Sequence, residues 1–491
     1  MYVIIYFMKR SQRRRKNTFF VGFGCFAIVF AIVLISIQFF TKTGLFFVPG
    51  VVSFNDSLTE DEKTRLSEIF NDDLNLSADL SISAETSEQL GELAENQILL
   101  GVMVPVTDFY DARVDISEFS EDEYKFIPLS ELDYKSKLLS IDSKYYLNTF
   151  NSGARFRIMT FDSGKYTEEV SPLIQDLRME QFTSKNVLSF AQTGVTALSR
   201  EMNAKLNSVG DANYFADNIK NYLSSFDITH TSNESSFTDA ANSDNICSDP
   251  RFINTLTAIG LDIVELTGNH NLDCGATAAI ETIDIYSQNN IKTVGGGKTA
   301  SDAAIPLSID EKGTKITFLA YNESTGGATT TEAPGANQYN EENAASEIAK
   351  AKDQGDFVIV DIQYFECSAY ASEYEDPTCD SADSAAGDQV GFFRHLIDLG
   401  ADVVVGTSAH QPQTFEIYND GEIYYGLGNL FFDQYWWPGT TRSLVLEHYF
   451  YQGKLLQTRI MPTVYDSNMQ PKLMDREKSE WFIDRLIKVR P

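Results

Sequence analysis

Positive charge is scarce in this sequence. Its 491 residues carry 39 Lys and Arg against 70 Asp and Glu, a formal net charge of −31. A chain this acidic does not bind nucleic acid by broad electrostatics, because that mode needs Lys and Arg to displace counterions from phosphates. Histidine is scarcer still, with five in all, so two of them in strand-end loops carry more weight than they would in a His-rich chain. Cysteine also numbers five, and no pair has CxxC spacing, which argues against a thiolate zinc site. The acidic stretches lack EF-hand spacing. Gly295-Gly296-Gly297 precedes Lys298-Thr299 without the spacing of a phosphate-cradling loop and reads as a turn. A hydrophobic content of 43% excludes disorder throughout. The length leaves room for two or three domains and a large core.

One apolar run stands apart. Phe19 to Phe40 spans 22 residues in which only Ser36 and Gln38 are polar. As a helix it measures about 33 Å, enough for a hydrocarbon core of about 30 Å. Residues 1–45 hold seven basic groups and no acidic one, and Lys and Arg are retained on the cytoplasmic side. The expectation is a basic cytoplasmic tail over 1–18, a single transmembrane helix over 19–40, and the remainder outside the cell. A cleaved signal peptide has a shorter apolar region followed by small residues; Thr41-Lys42-Thr43-Gly44-Leu45-Phe46-Phe47 offers no such site. Residues 46–491 then hold 32 basic against 70 acidic groups, −38. Cys25 falls in the apolar run and leaves Cys247, Cys274, Cys367 and Cys379. Pairing 247 with 274 and 367 with 379 closes two short loops, one of three possible connectivities; four free thiols are the alternative.

Residues 41–54 read as a linker. An acidic stretch follows from about Asn55, with Thr59-Glu60-Asp61-Glu62 in capping-box form at the head of a helix from Glu60 to Phe70. Leu99 to Pro105 reads as a strand, and residues 55–184 as a small accessory α/β domain. From Asn186 strands alternate with helices. Val187–Phe190 reads as a strand that ends at a Gly194 turn before a helix, and Phe226-Asp227-Ile228 as strand-like. Leu261–Leu266, Ile316–Tyr321, Phe357–Ile362 and Val403–Val405 are further strands. Ala276–Asn289, Glu341–Gln354 and Asp388–Leu399 read as helices, and Ser443–Tyr465 as a hairpin around Gly453. This alternation predicts an α/β layered sheet over 185–470, with polar loops at strand ends where such sheets bind ligands. Residues 471–491 read as a C-terminal tail.

Four strand-end loops concentrate polar residues: Gln192-Thr193-Gly194-Val195-Thr196, Thr231-Ser232-Asn233-Glu234, Thr267-Gly268-Asn269-His270-Asn271-Leu272-Asp273-Cys274-Gly275, and Gly406-Thr407-Ser408-Ala409-His410-Gln411-Pro412-Gln413. Imidazole and carboxylate together suit Zn, Mn or Fe. Gln363-Tyr364-Phe365-Glu366 and Tyr425-Gly426-Leu427-Gly428-Asn429-Leu430-Phe431 complete an ordered set. Together these segments resemble the CapA family of poly-γ-glutamate capsule biosynthesis proteins, whose domain is similar to metallo-dependent phosphatases. The family's motifs run Gly-Asp, Asn-Leu-Glu, Asn-(Asp/Asn)-His with Asp-x-Gly, His-Trp-Gly-x-Glu, Gly-His-His-Pro-His and Tyr-Ser-Leu-Gly-Asn-Phe. Their order and spacing hold from about residue 186 to 437.

The resemblance implies a metallophosphatase-like sheet sandwich flanked by helices. It implies catalytic roles for His270, Asp273 and Glu366, and binding roles for Asn233, Asn269, Gln363, Gln413 and Asn429. It further implies metal ligation by Glu234, His270 and His410 around one divalent ion (Mn, Zn or Fe). The departures are specific. Val195 stands where the family has the metal-contacting Asp, Gln363 replaces a His, and Thr407 and Ser408 replace two more. A two-metal centre needs more ligands than remain, so a single-metal site and a metal-free polar pocket both stay open. His230 either supports the Asn-Glu loop or is a hydrogen-bonded core residue. Trp436-Trp437-Pro438-Gly439 is either an aromatic platform or, the commoner case, a loop folded over the core.

The implied function is a membrane-anchored, extracellular accessory protein in surface-polymer biosynthesis or export. Its expected partners are the membrane, an anionic or neutral surface polymer and a polymer synthase complex, with no nucleic acid. A metal-dependent envelope hydrolase and a non-catalytic polymer- or solute-binding protein are the alternatives. A −38 exterior repels a polyanion at long range, so a local basic groove is required, with Arg200, Arg251 and Arg442 as candidates.

Overall fold

The computed structural model describes residues 79–86, 97–116, 124–150, 152–162, 185–324, 327, 332–364 and 388–491. The apolar run over 19–40, the helix expected from Glu60, Glu366, Cys367 and Cys379 lie outside them. Among the described residues no helix is long and apolar enough to cross a membrane. The chain divides into two compact units. The first takes in residues 1–84, 92–100 and 158–178, and its described part consists of strand segments. The second takes in residues 85–91, 101–157 and 179–491. Residues 101–157, placed by the sequence in an accessory domain, therefore group with the main body. There the Leu138 amide donates to Gln457 Oε1 at 2.8 Å.

The second unit is built on two sheets. In the first, β1 (Val187–Thr196), β2 (Ile228–Asn233), β3 (Ile263–Glu265) and β4 (Lys292–Val294) run parallel. In the second, β5 (Leu307–Glu311) pairs antiparallel with β6 (Thr314–Asn322), which continues in parallel through β7 (Phe357–Gln363) and β8 (Val403–Gly406). An antiparallel pair, β9 (Phe415–Tyr418) and β10 (Gly421–Tyr424), closes that sheet through β10 on β8. Returning to the first sheet, β11 (Asn429–Phe431) lies beside β1 at its C-terminal end. On the same edge, opposite β2, the N-terminal part of β1 pairs with β12 (Arg442–Tyr451), which with β13 (Lys454–Val464) forms the expected hairpin, with Gly453 at a φ of 78° that glycine alone adopts freely.

The layers follow from period-two burial. Parallel strands covered on both faces read as continuous apolar runs, as Val403-Val404-Val405 does. Leu188, Phe190, Ile263, Ile316, Phe318, Ile359, Val403 and Val405 form one core between the sheets. Alternate residues face outward. On one side Ala191, Val264 and Val445 meet α1 (Glu201–Val209) and α2 (Gly275–Gln288) through Met202, Leu206 and Tyr286. On the other, Val358, Val360 and Val404 meet α3 (Glu341–Asp353) and α4 (Gln389–Asp398) through Ile348, Phe393 and Leu396. The result is a helix–sheet–sheet–helix sandwich. Side chains cap α3 and α4: Asn340 accepts from the Asn343 amide, and Asp388 from that of Gly391.

Three local expectations are corrected. Strand β1 does not end before Gly194 but runs through it to Thr196, because its neighbours β2 and β11 continue to pair with it. Gly194 is required by close approach, since a Cβ there would run into the Gly428 carbonyl. Likewise Thr231–Asn233 is not loop but the end of β2. The C-terminal tail over 471–491 contains a packed helix: α5 (Arg476–Lys488) sends Phe482, Ile483 and Leu486 into the inter-sheet core. Trp436 and Trp437 do not fold over the core. The Thr440 hydroxyl ties the carbonyls of Gln434 and Trp437 from below, at 2.6 and 3.0 Å, and both rings stand exposed. One expected disulfide, Cys247–Cys274, is present and pins the chain after β2 to the start of α2.

Candidate functional site

The inward-facing positions change character along the strands. At their N-terminal halves stand Leu188, Ile228, Ile263, Ile316 and Ile359, all apolar. Two to six residues further on, the same face presents Gln192, His230, Glu265, Asn322 and Asp361, each fully buried. The last inward positions are Glu234, Gln363 and Thr407, at the C-terminal rim. This polarity gradient places the site where parallel α/β sheets bind ligands.

Below the rim lies a charged layer. Gln192 Nε2 donates to Asp361 Oδ1 at 2.6 Å, joining the sheets, and His230 Nε2 stands 3.1 Å from Asp361 Oδ2. The His230 ring stacks on Phe318, 12° from parallel. Glu265 accepts from the Thr267 amide; burial, and then the Asp361 charge, push its pKa up to about 7. Sequence reasoning named His230 and placed Gln192 in a polar strand-end loop, but missed Glu265 and Asp361. Their signal was an isolated charge inside an apolar run, as in Val-Ile-Val-Asp-Ile-Gln.

At the rim the motif residues form two linked groups. His410 Nε2 faces Glu234 Oε2 at 3.9 Å, with both side chains buried. On its other side His410 Nδ1 lies 2.9 Å from Asn429 Oδ1, which only accepts, so Nδ1 carries the proton. Asn429 Nδ2 in turn donates to Gln434 Oε1 and the Thr440 carbonyl. In the second group Gln363 Nε2 donates to Asn269 Oδ1 at 3.1 Å and to Ser408 Oγ at 2.9 Å. The two groups abut: a Cβ on Gly268 would sit 2.7 Å from Glu234 Cα, so only glycine lets these loops pack.

Other expected residues stand apart from these groups. His270 Nδ1 pairs with Asp273 Oδ2 at 2.8 Å on a partly exposed part of its loop. Asn233 turns its amide to the Ser235 carbonyl, and Gln413 accepts from Gln389. Glu366 is outside the described residues.

Among the described residues the donor set does not suit a resident metal. No group of three His, Cys, Asp or Glu side chains among the described residues is placed to hold an ion. Glu234 and His410 supply two donors, against the three protein ligands that a catalytic zinc keeps. At the position of the family's first ligand, Val195 packs against Ala197 and Phe432 in an apolar contact. The Asn269 oxygen is taken by the Gln363 amide.

The same residues align with a known family. Residues 189–434 match the model of the bacterial capsule synthesis protein PGA_cap family, from within β1 to the loop after β11. The chain belongs to this family. Among PGA_cap relatives, the capsule biosynthesis protein CapA of Bacillus anthracis is 26% identical over 229 residues, covering 45% of this chain and 53% of that one. The PGA biosynthesis protein CapA of Bacillus subtilis is 26% identical over 240 residues, 48% of this chain and 60% of that one. A probable polyglutamine synthesis accessory protein of Mycobacterium tuberculosis is 28% identical over 194 residues, 37% of this chain and 48% of that one. The chain thus spans about half to three fifths of the length of these relatives.

Proposed function

We propose that this chain is an accessory protein of surface-polymer biosynthesis, of the poly-γ-glutamate type, and that its rim pocket recognises rather than hydrolyses. One observation carries the reading. The PGA_cap motif residues converge at the strand ends, yet their polar atoms are spent on one another through Gln363, Asn269, Ser408, His410 and Asn429. A rim of mutually hydrogen-bonded amides and hydroxyls held in fixed directions suits recognition of amide and carboxylate groups that take over some of those bonds. Membrane anchoring and an extracellular position belong to the same proposal. They are supported by the 22-residue apolar run behind a basic cluster, and a synthase complex is the partner that such an accessory serves.

The test is genetic and chemical together. Deleting the gene in the native host is expected to reduce cell-bound poly-γ-glutamate at least several-fold, with restoration by the full chain. The His410→Ala variant is expected to restore it to a large extent, because no bond-breaking step depends on that imidazole. Unchanged surface polymer in the deletion strain would overturn the reading. A His410→Ala chain that is wholly inactive, with stoichiometric Mn, Zn or Fe in the parent, would favour the hydrolase instead.

A further inference from the structure

The described residues expose six large hydrophobic side chains, and three of them are consecutive: Tyr435, Trp436 and Trp437, the two indoles by 54% and 46%. Single exposed hydrophobics need no explanation, whereas a contiguous aromatic patch marks an interaction surface. Gln434 to Thr441 carries no charged residue, in a chain whose net charge is −31. Just before it, Asp433 is neutralised by Arg200 at 2.5 Å, and the Arg200 guanidinium lies 4.5 Å from the Phe432 ring centroid. The third tryptophan, Trp481, belongs to α5 and not to this loop, and its ring lies against the guanidinium groups of Arg442 and Arg485.

The loop holds its shape without packing its rings on the core. The Thr441 amide donates to the Trp437 carbonyl at 3.2 Å, and the Thr441 hydroxyl to the Pro438 carbonyl at 2.9 Å. Tyr435 and Trp436 meet edge to face, with centroids 5.4 Å apart. The neck is tied to the rim pocket. Asn429, which holds His410, also donates to Gln434 Oε1 at 3.1 Å and to the Thr440 carbonyl at 3.2 Å. A Cβ on Gly439 would meet Oε1 of Gln411, the neighbour of His410. A backbone fixed in advance reduces the entropy lost when the rings are immobilised. From Thr440 the tip at Trp437 is three residues away, a reach of about 10 Å.

An indole is apolar over its rings and polar at its N–H, so it settles at headgroup level, where Trp and Tyr are enriched. Absence of charge is what insertion requires, because a charge carried out of water is costly. A polymer platform built on the same rings would place charged groups beside them for the repeating carboxylates, and Tyr435 to Gly439 has none. A bilayer is within reach. The 22-residue apolar run ends at Phe40, and the 38 residues from Thr41 to Ala78 separate it from the strand that begins at Asp79, a span of up to about 130 Å if extended. Repulsion between an acidic body and an anionic surface falls off over about 10 Å at 0.1 M salt, the length by which the tip stands clear of its neck.

We propose that Tyr435, Trp436 and Trp437 insert into the headgroup region of a lipid bilayer and thereby hold the mouth of the rim pocket against the membrane. That the chain meets a bilayer at all rests on the anchoring proposed above; the choice of loop rests on its geometry and its lack of charge. The Trp481→Phe change leaves the loop pair as the emitting indoles. This full chain, reconstituted in phosphatidylcholine vesicles, is expected to be quenched about twofold more by lipids brominated near the headgroup than by lipids brominated near the chain ends. Trp436→Phe with Trp437→Phe, in which Trp481 alone emits, is expected to show little quenching by either. Adding Trp436→Asp to the Trp481→Phe chain is expected to remove the quenching of Trp437, because the new charge keeps the tip in water. Urea midpoints equal to the parent's are expected for each variant, since the exchanged rings of the loop lie outside the core.

Absence of quenching in the Trp481→Phe chain overturns the proposal, and so does equal quenching of Trp481 alone. A loop that ignores bilayers while its emission shifts saturably with poly-γ-glutamate also overturns it and assigns the rings to the polymer. Extraction with alkaline carbonate separates the loop from the anchor. A chain that resists extraction while its loop stays unquenched refutes insertion and leaves the anchoring standing. A chain released by carbonate refutes the anchoring; quenching of the released chain on fresh vesicles still upholds the loop, and its absence overturns it.

Discussion

Glu265 shows how a single side chain couples the site to the stability of the fold. Its carboxyl is buried between the sheets, and its pKa rises from 4.5 to about 7, first through burial and then through the Asp361 charge. The folded state therefore holds a proton that the unfolded chain releases between those values, so this group's stabilisation is complete below pH 4.5 and is lost as pH rises through 7. Glu422, also raised to about 7 by burial, acts in the same direction. Replacing Glu265 by Gln keeps the oxygen that accepts from Thr267 and removes the ionisation. The variant is expected to match its parent near pH 4 and to exceed it by about 3 kcal/mol at pH 8, read from urea midpoints at the two pH values. At this scale the rim residues were legible because the motif order marks strand ends. Glu265 and Asp361 were not, since a charge within a short apolar run reads equally as an edge position. Only pairing on both sides shows that it is enclosed.

Among the elements, the disulfide segment shows what joins the site loops. Cys247 and Cys274 are 27 residues apart and close a segment that contains Ile263–Glu265 and the Gly268–Asp273 loop. A cross-link of this span contributes about 3 kcal/mol by limiting the unfolded chain. The Cys247→Ser, Cys274→Ser pair is expected to lower stability by that order, measured by thermal unfolding against the oxidised parent. The helices and hairpin were readable from periodicity and turn chemistry. Asn340, Asp388 and Gly453 mark three of their boundaries. The far end of β1 was not, because Gly194 reads as a turn in isolation. Its role is set by a carbonyl more than two hundred residues away in sequence.

At the scale of the whole molecule, the last segment of chain helps to hold the first sheets together. Phe482, Ile483 and Leu486 of α5 share the inter-sheet core with Phe190 and Phe318, and the Thr414 hydroxyl donates to the Leu486 carbonyl at 2.6 Å. Truncation after Met474 is expected to abolish cooperative unfolding and expose apolar surface, detected as dye binding and aggregation during purification, because three large side chains leave one core together. The sequence did not reveal this, since a charged helix of thirteen residues resembles a solvated tail until its apolar stripe is matched to a vacancy.

The gradient along the inner faces divides the sandwich into two kinds of evolutionary ground. Near the N-terminal strand ends, where Ile263, Ile316 and Ile359 meet, substitutions that conserve volume are tolerated whatever the activity. Near the rim, volume hardly matters beside hydrogen-bond direction, as Gln363 in place of a histidine illustrates. A lineage can therefore change the polar chemistry of the rim alone, with the apolar half below keeping the same fold throughout.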